Sequence, residues 1–140
     1  MKTLKVESKL SEINKIRQFL KDVLKGLHLS EEDYYMVELS LIEVCINVMR
    51  YAYPSRKKGY ILLNAWEQKG RFYIEIRDNG IPFDPRKTKK PDINSLIKSK
   101  KKGGLGIFIT RKMMDGFKYK RDEGENVLLL YKKLNHLNHQ

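Results

Sequence analysis

The 140-residue sequence has a single cysteine, four prolines and one tryptophan, and no amino-terminal apolar stretch that resembles a signal peptide or a membrane span. Cys45 therefore has no partner for an internal disulfide. His136 and His139 stand near the end without companion cysteines or carboxylates, which argues against a metal site there. These absences predict a cytoplasmic protein with no membrane partner, folded as one domain over residues 1–140 around a hydrophobic core alone.

Acidic residues are also few, because 17 Asp and Glu stand against 29 Lys and Arg, for a formal net charge of +12. The excess is concentrated between Arg86 and Arg121, where thirteen basic residues and only Asp92 and Asp115 leave a net charge of +11. Such a segment can bind nucleic acid nonspecifically through counterion release. It also contains a glycine-rich turn, so steering of a polyphosphate or docking of an acidic partner is favoured over nucleic acid.

The periodicity of apolar residues predicts the order strand, two helices, two strands, loop, helix and two strands. The strands are predicted at 2–7, 60–67, 72–77, 117–120 and 127–133, and the helices at 13–27, 30–53 and 104–115. Ser30 should cap the second helix, with Asp33 completing a capping box, and Gly116 should end the third helix in a left-handed conformation. This order predicts an α+β fold, a two-layer α/β sandwich with a mixed, mainly antiparallel sheet under three helices. Residues 134–140 are expected to be a frayed tail.

Glu43 and Asn47 lie four residues apart in the second predicted helix and therefore on one face of it. Their neighbours from Leu41 to Met49 are otherwise apolar, so both side chains should be mostly buried. An ionised carboxylate there costs on the order of several kcal/mol unless Mg²⁺, an ordered water or a partner hydroxyl compensates. The alternative is a face that reaches solvent, where glutamate is simply a good helix former.

Two turns carry the other candidate binding groups. Residues 78–80, Asp-Asn-Gly, end an alternating strand and place a carboxylate at the mouth of the sheet, although this tripeptide is also common in ordinary turns. Residues 103–106, Gly-Gly-Leu-Gly, lead into the third predicted helix, so free amides and the positive helix end converge where a phosphate can bind, unless the stretch is only a flexible linker. A base-reading acceptor, an Mg²⁺ ligand, phosphate-binding amides and a proton acceptor together indicate a nucleotide site.

The glycine turn is not a Walker A loop, since no Gly-Lys-Ser/Thr follows it, and no strand feeds it as a dinucleotide fingerprint requires. Over about residues 30–134 the chain instead resembles the GHKL (Bergerat-fold) ATPase superfamily. The Pro-Phe-Asp-Pro extension narrows the resemblance to the anti-sigma-factor serine/threonine-protein kinases of bacterial partner-switching systems. The matching stretches are Glu43-Val44-Cys45-Ile46-Asn47, Asp78-Asn79-Gly80-Ile81-Pro82-Phe83-Asp84-Pro85 and Gly103-Gly104-Leu105-Gly106-Ile107.

The resemblance implies an ATP- and Mg²⁺-dependent serine/threonine protein kinase with a Bergerat fold. It implies that Glu43 is the general base, Asn47 the Mg²⁺ ligand and Asp78 the acceptor for the adenine amino group. Further nucleotide contacts are expected from Gly80 beneath the base, from Gly103, Gly104, Leu105 and Gly106 around the phosphates, and from Lys101 or Lys102 when the basic loop closes.

By the same resemblance, the substrate is an anti-sigma-factor antagonist, a sigma factor is a second partner, and the kinase is a homodimer. Tyr51 stands where many relatives have histidine, and the loop from Asp84 to Lys102 is unusually basic. Two alternatives therefore stay open: a switch kinase of the same fold that never binds sigma, and an ATP-binding regulatory module that has lost catalysis.

Overall fold

Strands rich in β-branched and aromatic residues form a five-stranded sheet in a computed structural model of the chain, which describes residues 1–53, 59–87 and 110–134. The strands are β1 (Lys2–Glu7), β2 (Tyr60–Gln68), β3 (Arg71–Asp78), β4 (Gly116–Asp122) and β5 (Glu125–Lys133). They are ordered β1-β2-β3-β5-β4, and each described pairing is antiparallel. The mainly antiparallel sheet is confirmed, and the parallel pairing of a mixed sheet does not occur among these strands.

Tight turns close the two hairpins, one between the strands predicted at 60–67 and 72–77 and one between those predicted at 117–120 and 127–133. Lys69 and Gly70 have φ of 50° and 75° between β2 and β3, and Glu123 and Gly124 have φ of 48° and 80° between β4 and β5. Two successive residues with positive φ are typical of a type I′ turn, whose twist matches that of the flanking strands. The turns fix the register of the sheet and therefore decide which side chains lie opposite each other.

Two helices, α1 (Ile13–Leu24) and α2 (Glu31–Tyr51), pack on one face of the sheet. As predicted, α2 begins after Ser30, whose Oγ accepts a 3.0 Å hydrogen bond from the backbone N of Asp33. In place of the reciprocal bond of a capping box, the Asp33 carboxylate lies 4.0 Å from Nζ of Lys132, which ties the start of α2 to β5. Within the described ranges, no helix is both long and apolar enough to cross a membrane.

The hydrophobic core fills the space between the helices and the sheet. α1 contributes its apolar stripe of Ile16, Leu20 and Leu24, and α2 contributes a larger apolar surface. Alternate residues of the central strands meet these helices, since successive side chains of a strand point to opposite faces. The buried apolar residues that alternate along these central strands are Ile61, Leu63, Ala65, Phe72, Ile74, Ile76, Leu128 and Leu130. The predicted two-layer sandwich is confirmed.

Residues 110–113 are helical and belong to the third helix predicted at 104–115, of which residues 104–109 lie outside the described residues. Gly116 does not end this helix in a left-handed conformation, because it is the first residue of β4 and its φ is not positive. A Cβ at Gly116 would lie 1.7 Å from a ring carbon of Tyr131 on the paired strand. The prediction for Gly116 was wrong because this glycine makes room for a cross-strand aromatic ring.

Candidate functional site

One face of α2 carries the two polar residues that the sequence singles out. Asn47 is buried, with 4% of its surface exposed, and Glu43 is half-buried one turn earlier. The amide Nδ2 of Asn47 donates a 2.8 Å hydrogen bond to the backbone O of Glu43. Because this bond uses the amide nitrogen, Oδ1 of Asn47 is the end of the side chain that remains to accept a donor or to bind a cation.

The carboxyl group of Glu43 has a pKa above its ordinary value. Burial among apolar neighbours is the main cause, because desolvation disfavours the charged form, and the positive charge of Arg50 further along α2 opposes it. A carboxylate with a raised pKa accepts a proton more readily than an exposed glutamate does. Glu43 therefore has the property that a general base in this position needs.

Asp78 ends β3 as a buried carboxylate, with 1% of its surface exposed. Its Oδ1 accepts two hydrogen bonds of 2.9 Å, one from the backbone N of Gly80 and one from Nδ2 of Asn126. Burial is the largest influence and raises the pKa of Asp78 above its ordinary value, although these two hydrogen bonds act to lower it. Oδ2 accepts no hydrogen bond from the residues that the structure describes, so one carboxylate oxygen is held in place while the other remains for a ligand.

Gly80 joins the turn after Asp78 to the end of α2. A Cβ at this position would lie 2.1 Å from the backbone O of Ala52, and the next residue, Ile81, donates a 2.8 Å hydrogen bond from its N to that same oxygen. Only glycine permits so close a contact between the turn and the helix end. The junction brings the helix that carries Glu43 and Asn47 to the turn that carries Asp78.

Tyr53, just beyond α2, fastens the same turn from its other side. Its hydroxyl lies 2.7 Å from the backbone O of Tyr60 and 2.9 Å from Oδ1 of Asn79, and it accepts a 3.0 Å hydrogen bond from the backbone N of Asn79. The ring leaves no room for a side chain at Gly59, where a Cβ would lie 2.1 Å from it. One phenol thus connects the end of α2, the start of β2 and the turn after β3.

Asn126 is the site residue that sequence reasoning missed. It is buried, with 1% of its surface exposed, and lies directly opposite Asp78 in the pairing of β3 with β5. Nδ2 donates to Oδ1 of Asp78 and, over 2.7 Å, to the backbone O of Ile81. Oδ1 accepts from the backbone N of Phe83 over 3.0 Å and from the hydroxyl of Tyr119 over 2.6 Å. The signal that could have found Asn126 is its place near the start of β5, as a polar residue in alternation with the inward-facing Leu128 and Leu130.

The Pro-Phe-Asp-Pro stretch has a structural basis in Asp84. Its carboxylate accepts hydrogen bonds from the backbone N of Arg86 over 3.0 Å and from the Arg86 guanidinium over 2.9 to 3.3 Å, at the start of a short 3₁₀ turn (Pro85–Lys87). Phe83 lies against Tyr51 with 5.6 Å between ring centroids. Tyr51, which stands where many relatives of the resembled family have histidine, therefore contacts this stretch from α2.

The remaining predicted site residues lie outside the described residues. They are Lys101, Lys102, Gly103, Gly104, Leu105 and Gly106. The helical residues 110–113 that follow them are held by Lys132, whose Nζ donates a 2.7 Å hydrogen bond to the backbone O of Met113. A cation at the carboxyl end of a helix also interacts favourably with its dipole. β5 thus contacts both the Asp78 turn, through Asn126, and the helix after the glycine turn, through Lys132.

Comparison with known proteins identifies the family to which this arrangement of α2 and the β3 turn belongs. A family described as "Histidine kinase-like ATPase domain" matches residues 6–132. The chain belongs to this family. The match confirms the GHKL resemblance read from the sequence and covers α1, α2 and nearly the whole sheet of this histidine kinase-like ATPase domain.

Relatives of the histidine kinase-like ATPase domain include "Serine-protein kinase RsbW" of Bacillus cereus, 27% identical over 130 residues, a match that covers 90% of this chain and 81% of the relative. The RsbU and RsbW domains of Rv1364c from Mycobacterium tuberculosis superpose with a TM-score of 0.64 at 14% identity, covering 96% of this chain and 33% of that one. The SiaB-SiaC complex from Pseudomonas aeruginosa gives a TM-score of 0.57 at 15% identity, covering 91% and 88%. At such identities the structures establish the fold alone, and they confirm the predicted Bergerat architecture.

Proposed function

We propose that this histidine kinase-like ATPase domain is an ATP- and Mg²⁺-dependent serine/threonine protein kinase that phosphorylates an anti-sigma-factor antagonist and so regulates transcription by partner switching. A relative that bears the name of a serine-protein kinase supports the reaction class. The observation that carries the proposal is the contact of Gly80 with Ala52, because it joins the helix of Glu43 and Asn47 to the turn of Asp78.

Asp78 reads the base of the nucleotide. Its Oδ1 is held by Gly80 and Asn126, so Oδ2 is the oxygen that accepts a hydrogen bond from the exocyclic amino group of adenine. A buried acceptor rejects a ligand that presents another acceptor, because both groups would then be desolvated without a donor. Gly80 is proposed to lie beneath the base, in addition to its contact with α2.

The residues of the site fit Mg²⁺. Among the described residues, no group of three or more His, Cys, Asp or Glu could hold a metal by itself. Mg²⁺ in kinase sites is commonly held by one or two protein oxygens together with substrate phosphates and waters. Oδ1 of Asn47 offers one such oxygen, since Nδ2 already donates to the helix. When bound, Mg²⁺ would neutralise charge on the β- and γ-phosphates.

Glu43 acts as the general base. As the serine oxygen of the antagonist bonds to the γ-phosphorus, its proton passes to the Glu43 carboxylate, and the bond from that phosphorus to the β–γ bridging oxygen breaks to release ADP. The raised pKa of Glu43 favours this proton transfer. The backbone amides of Gly103, Gly104, Leu105 and Gly106, with Lys101 or Lys102, are proposed to bind the phosphates, which the positive end of the following helix also favours.

The partners follow from the same assignment. The antagonist is the phosphoryl acceptor, a sigma factor is bound while the antagonist is phosphorylated, and the kinase works as a homodimer. All these proteins act on transcription, so the proposal places the chain in the cytoplasm. The formal charge of +12 favours rapid association with an acidic partner and with ATP.

The test compares the wild-type chain with Glu43→Gln, which keeps the size of the side chain and removes the base. ATP binding, followed by calorimetry with and without Mg²⁺, should stay within about threefold, whereas phosphoryl transfer from labelled ATP to a candidate antagonist should fall by about 10²- to 10⁴-fold. An antagonist with its acceptor serine replaced by alanine is the control for transfer. Wild-type protein that binds no ATP would refute the kinase assignment.

The alternatives give different results in the same assays. A binding module that has lost catalysis would bind ATP without transferring phosphate in either variant. A switch kinase without a sigma partner would transfer phosphate yet retain no sigma factor in a pull-down. Binding of DNA that weakens steeply with salt, in the absence of nucleotide, would favour a nucleic-acid role for the basic segment.

A further inference from the structure

We propose that Asn126 is the positioning residue that sets the nucleotide specificity of this site. Together with the backbone N of Gly80 it forms a clamp on one atom of residue 78, and this clamp decides which other atom of that residue faces the ligand. The proposal rests on the nucleotide-binding function proposed above. It adds a residue of β5, 48 positions from Asp78 in the chain, to the determinants of that function.

The orientation of the Asn126 amide follows from its partners. The backbone O of Ile81 can only accept a hydrogen bond, and the backbone N of Phe83 can only donate one. Nδ2 must therefore face Ile81 and Oδ1 must face Phe83. With Tyr119 on Oδ1 and Asp78 on Nδ2, both donors and both acceptor positions of the amide are used.

A buried amide with every position filled cannot rotate without losing several hydrogen bonds at once. Nδ2 of Asn126 thus presents a fixed donor to residue 78, and the backbone N of Gly80 presents a second donor to the same atom, Oδ1. Whatever side chain stands at position 78 must offer an acceptor at this point. For aspartate either oxygen satisfies the requirement, and the other oxygen is left to accept from the ligand.

The clamp predicts the orientation of the amide that Asp78→Asn introduces. The amide that this substitution introduces has one acceptor and one donor end, and the two donors that surround the clamped position require its carbonyl there. Its NH₂ group then takes the place of Oδ2. A donor at that place matches the 6-carbonyl of hypoxanthine and conflicts with the 6-amino group of adenine.

The experiment measures the affinities of the full chain for ATP and ITP in the presence of Mg²⁺. Wild-type protein should prefer ATP, and Asp78→Asn should prefer ITP, with each preference about tenfold or more, the ratio that corresponds to one well-formed hydrogen bond. A carboxylate that served only to support the fold would weaken both nucleotides alike and leave their ratio unchanged.

The double variant Asp78→Asn with Asn126→Asp tests the clamp itself. It exchanges the two side chains, so composition and net charge are preserved. The new carboxylate at position 126 replaces one of the two donors at the clamped position with an acceptor, while the backbone N of Gly80 remains a donor there, so the new amide at position 78 no longer has a single favoured orientation. The preference for ITP should therefore shrink relative to Asp78→Asn alone, whereas a double variant that keeps the full ITP preference would show that Asn126 does not set the orientation.

Folding is monitored by circular dichroism and thermal unfolding of each variant. If the double variant does not fold, the ratio of the ATP and ITP affinities measured for Asp78→Asn alone tests the proposal. Loss of binding of both nucleotides, or an unchanged preference for ATP, in that variant would overturn the clamp. Wild-type protein that binds neither nucleotide would overturn the proposed function as well. Binding of ATP by the wild type without inversion in Asp78→Asn would overturn only the role of Asn126.

Discussion

At the scale of the residue, the candidate site depends on a glycine, Gly80, whose lack of a side chain allows a close backbone contact. Gly80 has no Cβ, and this allows the turn after β3 to meet the backbone of Ala52 at the end of α2. Gly116 makes a comparable space for the ring of Tyr131 in the β4–β5 pair. In both places the glycine is required by a neighbour in space, because neither residue has a positive φ.

Gly80→Ala is expected to lower the free energy of unfolding by about 2 to 3 kcal/mol, because the new Cβ displaces the carbonyl of Ala52. The displacement also moves the backbone N that donates to Asp78, so the affinity for ATP should fall by about tenfold or more. Urea denaturation and ATP titration measure the two effects.

Gly124→Ala is the control for this variant, since a Cβ there meets nothing within 4 Å and only its φ of 80° is unfavourable. It should cost about 1 kcal/mol and leave ATP binding unchanged. An ATP affinity of Gly80→Ala that equals that of Gly124→Ala would contradict the proposed contact between the turn and α2.

The sequence predicts the residues of the site that lie within short motifs. Glu43 and Asn47 are recognisable because their spacing places them on one helix face, and Asp78 because a turn follows it. Asn126 is not recognisable in this way, since its contact with Asp78 depends on the register of β3 and β5. Register is a property of the assembled sheet, so local patterns do not reveal it.

At the scale of the element, the face of the sheet opposite the helices carries a network of hydrogen bonds across strands. Glu75 in β3 accepts from Nε of Arg77 over 2.8 Å and from Nδ2 of Asn64 in β2 over 3.0 Å. Arg77 also donates to Glu125 in β5 over 3.1 Å. Burial raises the pKa of Glu75, but the bonds from Arg77 and Asn64 and the charge of Arg77 hold it below its ordinary value.

Glu75→Gln is expected to lower the free energy of unfolding by about 1 to 2 kcal/mol near neutral pH, because the charged acceptor of three hydrogen bonds from Arg77 and Asn64 is lost. A carboxyl whose pKa is depressed in the folded state stabilises the fold above its unfolded pKa, and this stabilisation disappears as the pH falls through the folded pKa. The difference between wild type and variant should therefore shrink below the ordinary value of 4.5.

Urea denaturation at a series of pH values from about 7 to about 3 measures this difference. Glu67→Gln, the same substitution at an exposed position near the end of the neighbouring strand β2, serves as the matched control. A constant difference across the pH series would mean that Glu75 acts through packing and not through its charge.

The elements themselves are well predicted from sequence. Strand and helix periodicities, the Ser30 cap and the β2–β3 turn all depend on interactions between near neighbours in the chain. The errors arise where a distant residue intervenes. The local sequence predicts that Gly116 is a helix cap, but in the structure the ring of Tyr131 lies against it. The local sequence also predicts that Asp33 belongs to a capping box, but its carboxylate lies beside Lys132.

At the scale of the whole molecule, Leu134 is the last described residue and closes the domain, so it is not part of the frayed tail expected at 134–140. Its backbone N donates a 2.8 Å hydrogen bond to the backbone O of Gly70, and its side chain, 8% exposed, joins the core. The family match ends close by, at residue 132. We therefore propose a single cooperative domain whose carboxyl-terminal boundary is Leu134, with residues 135–140 dispensable for folding.

A chain that ends at Leu134 should unfold with the same free energy as the full chain, within about 0.5 kcal/mol, and in a single transition. A chain that ends at Lys133 should lose about 2 to 3 kcal/mol, because a buried leucine is removed. Thermal and urea unfolding of the three chains provide the comparison. Equal stability of the two shortened chains would argue against the boundary at Leu134.

The contacts of Tyr53 indicate where the chain can accept an inserted sequence. Its hydroxyl contacts the backbone of Tyr60, so the segment between these residues joins two points that are already held together. The entropic free-energy cost of closing such a segment rises by only about 0.6 kcal/mol for each doubling of its length. A fluorescent reporter inserted between Tyr53 and Gly59 should leave these hydrogen bonds intact, and because the Tyr53 hydroxyl also contacts Asn79 beside Asp78, its fluorescence should respond to binding of the proposed nucleotide.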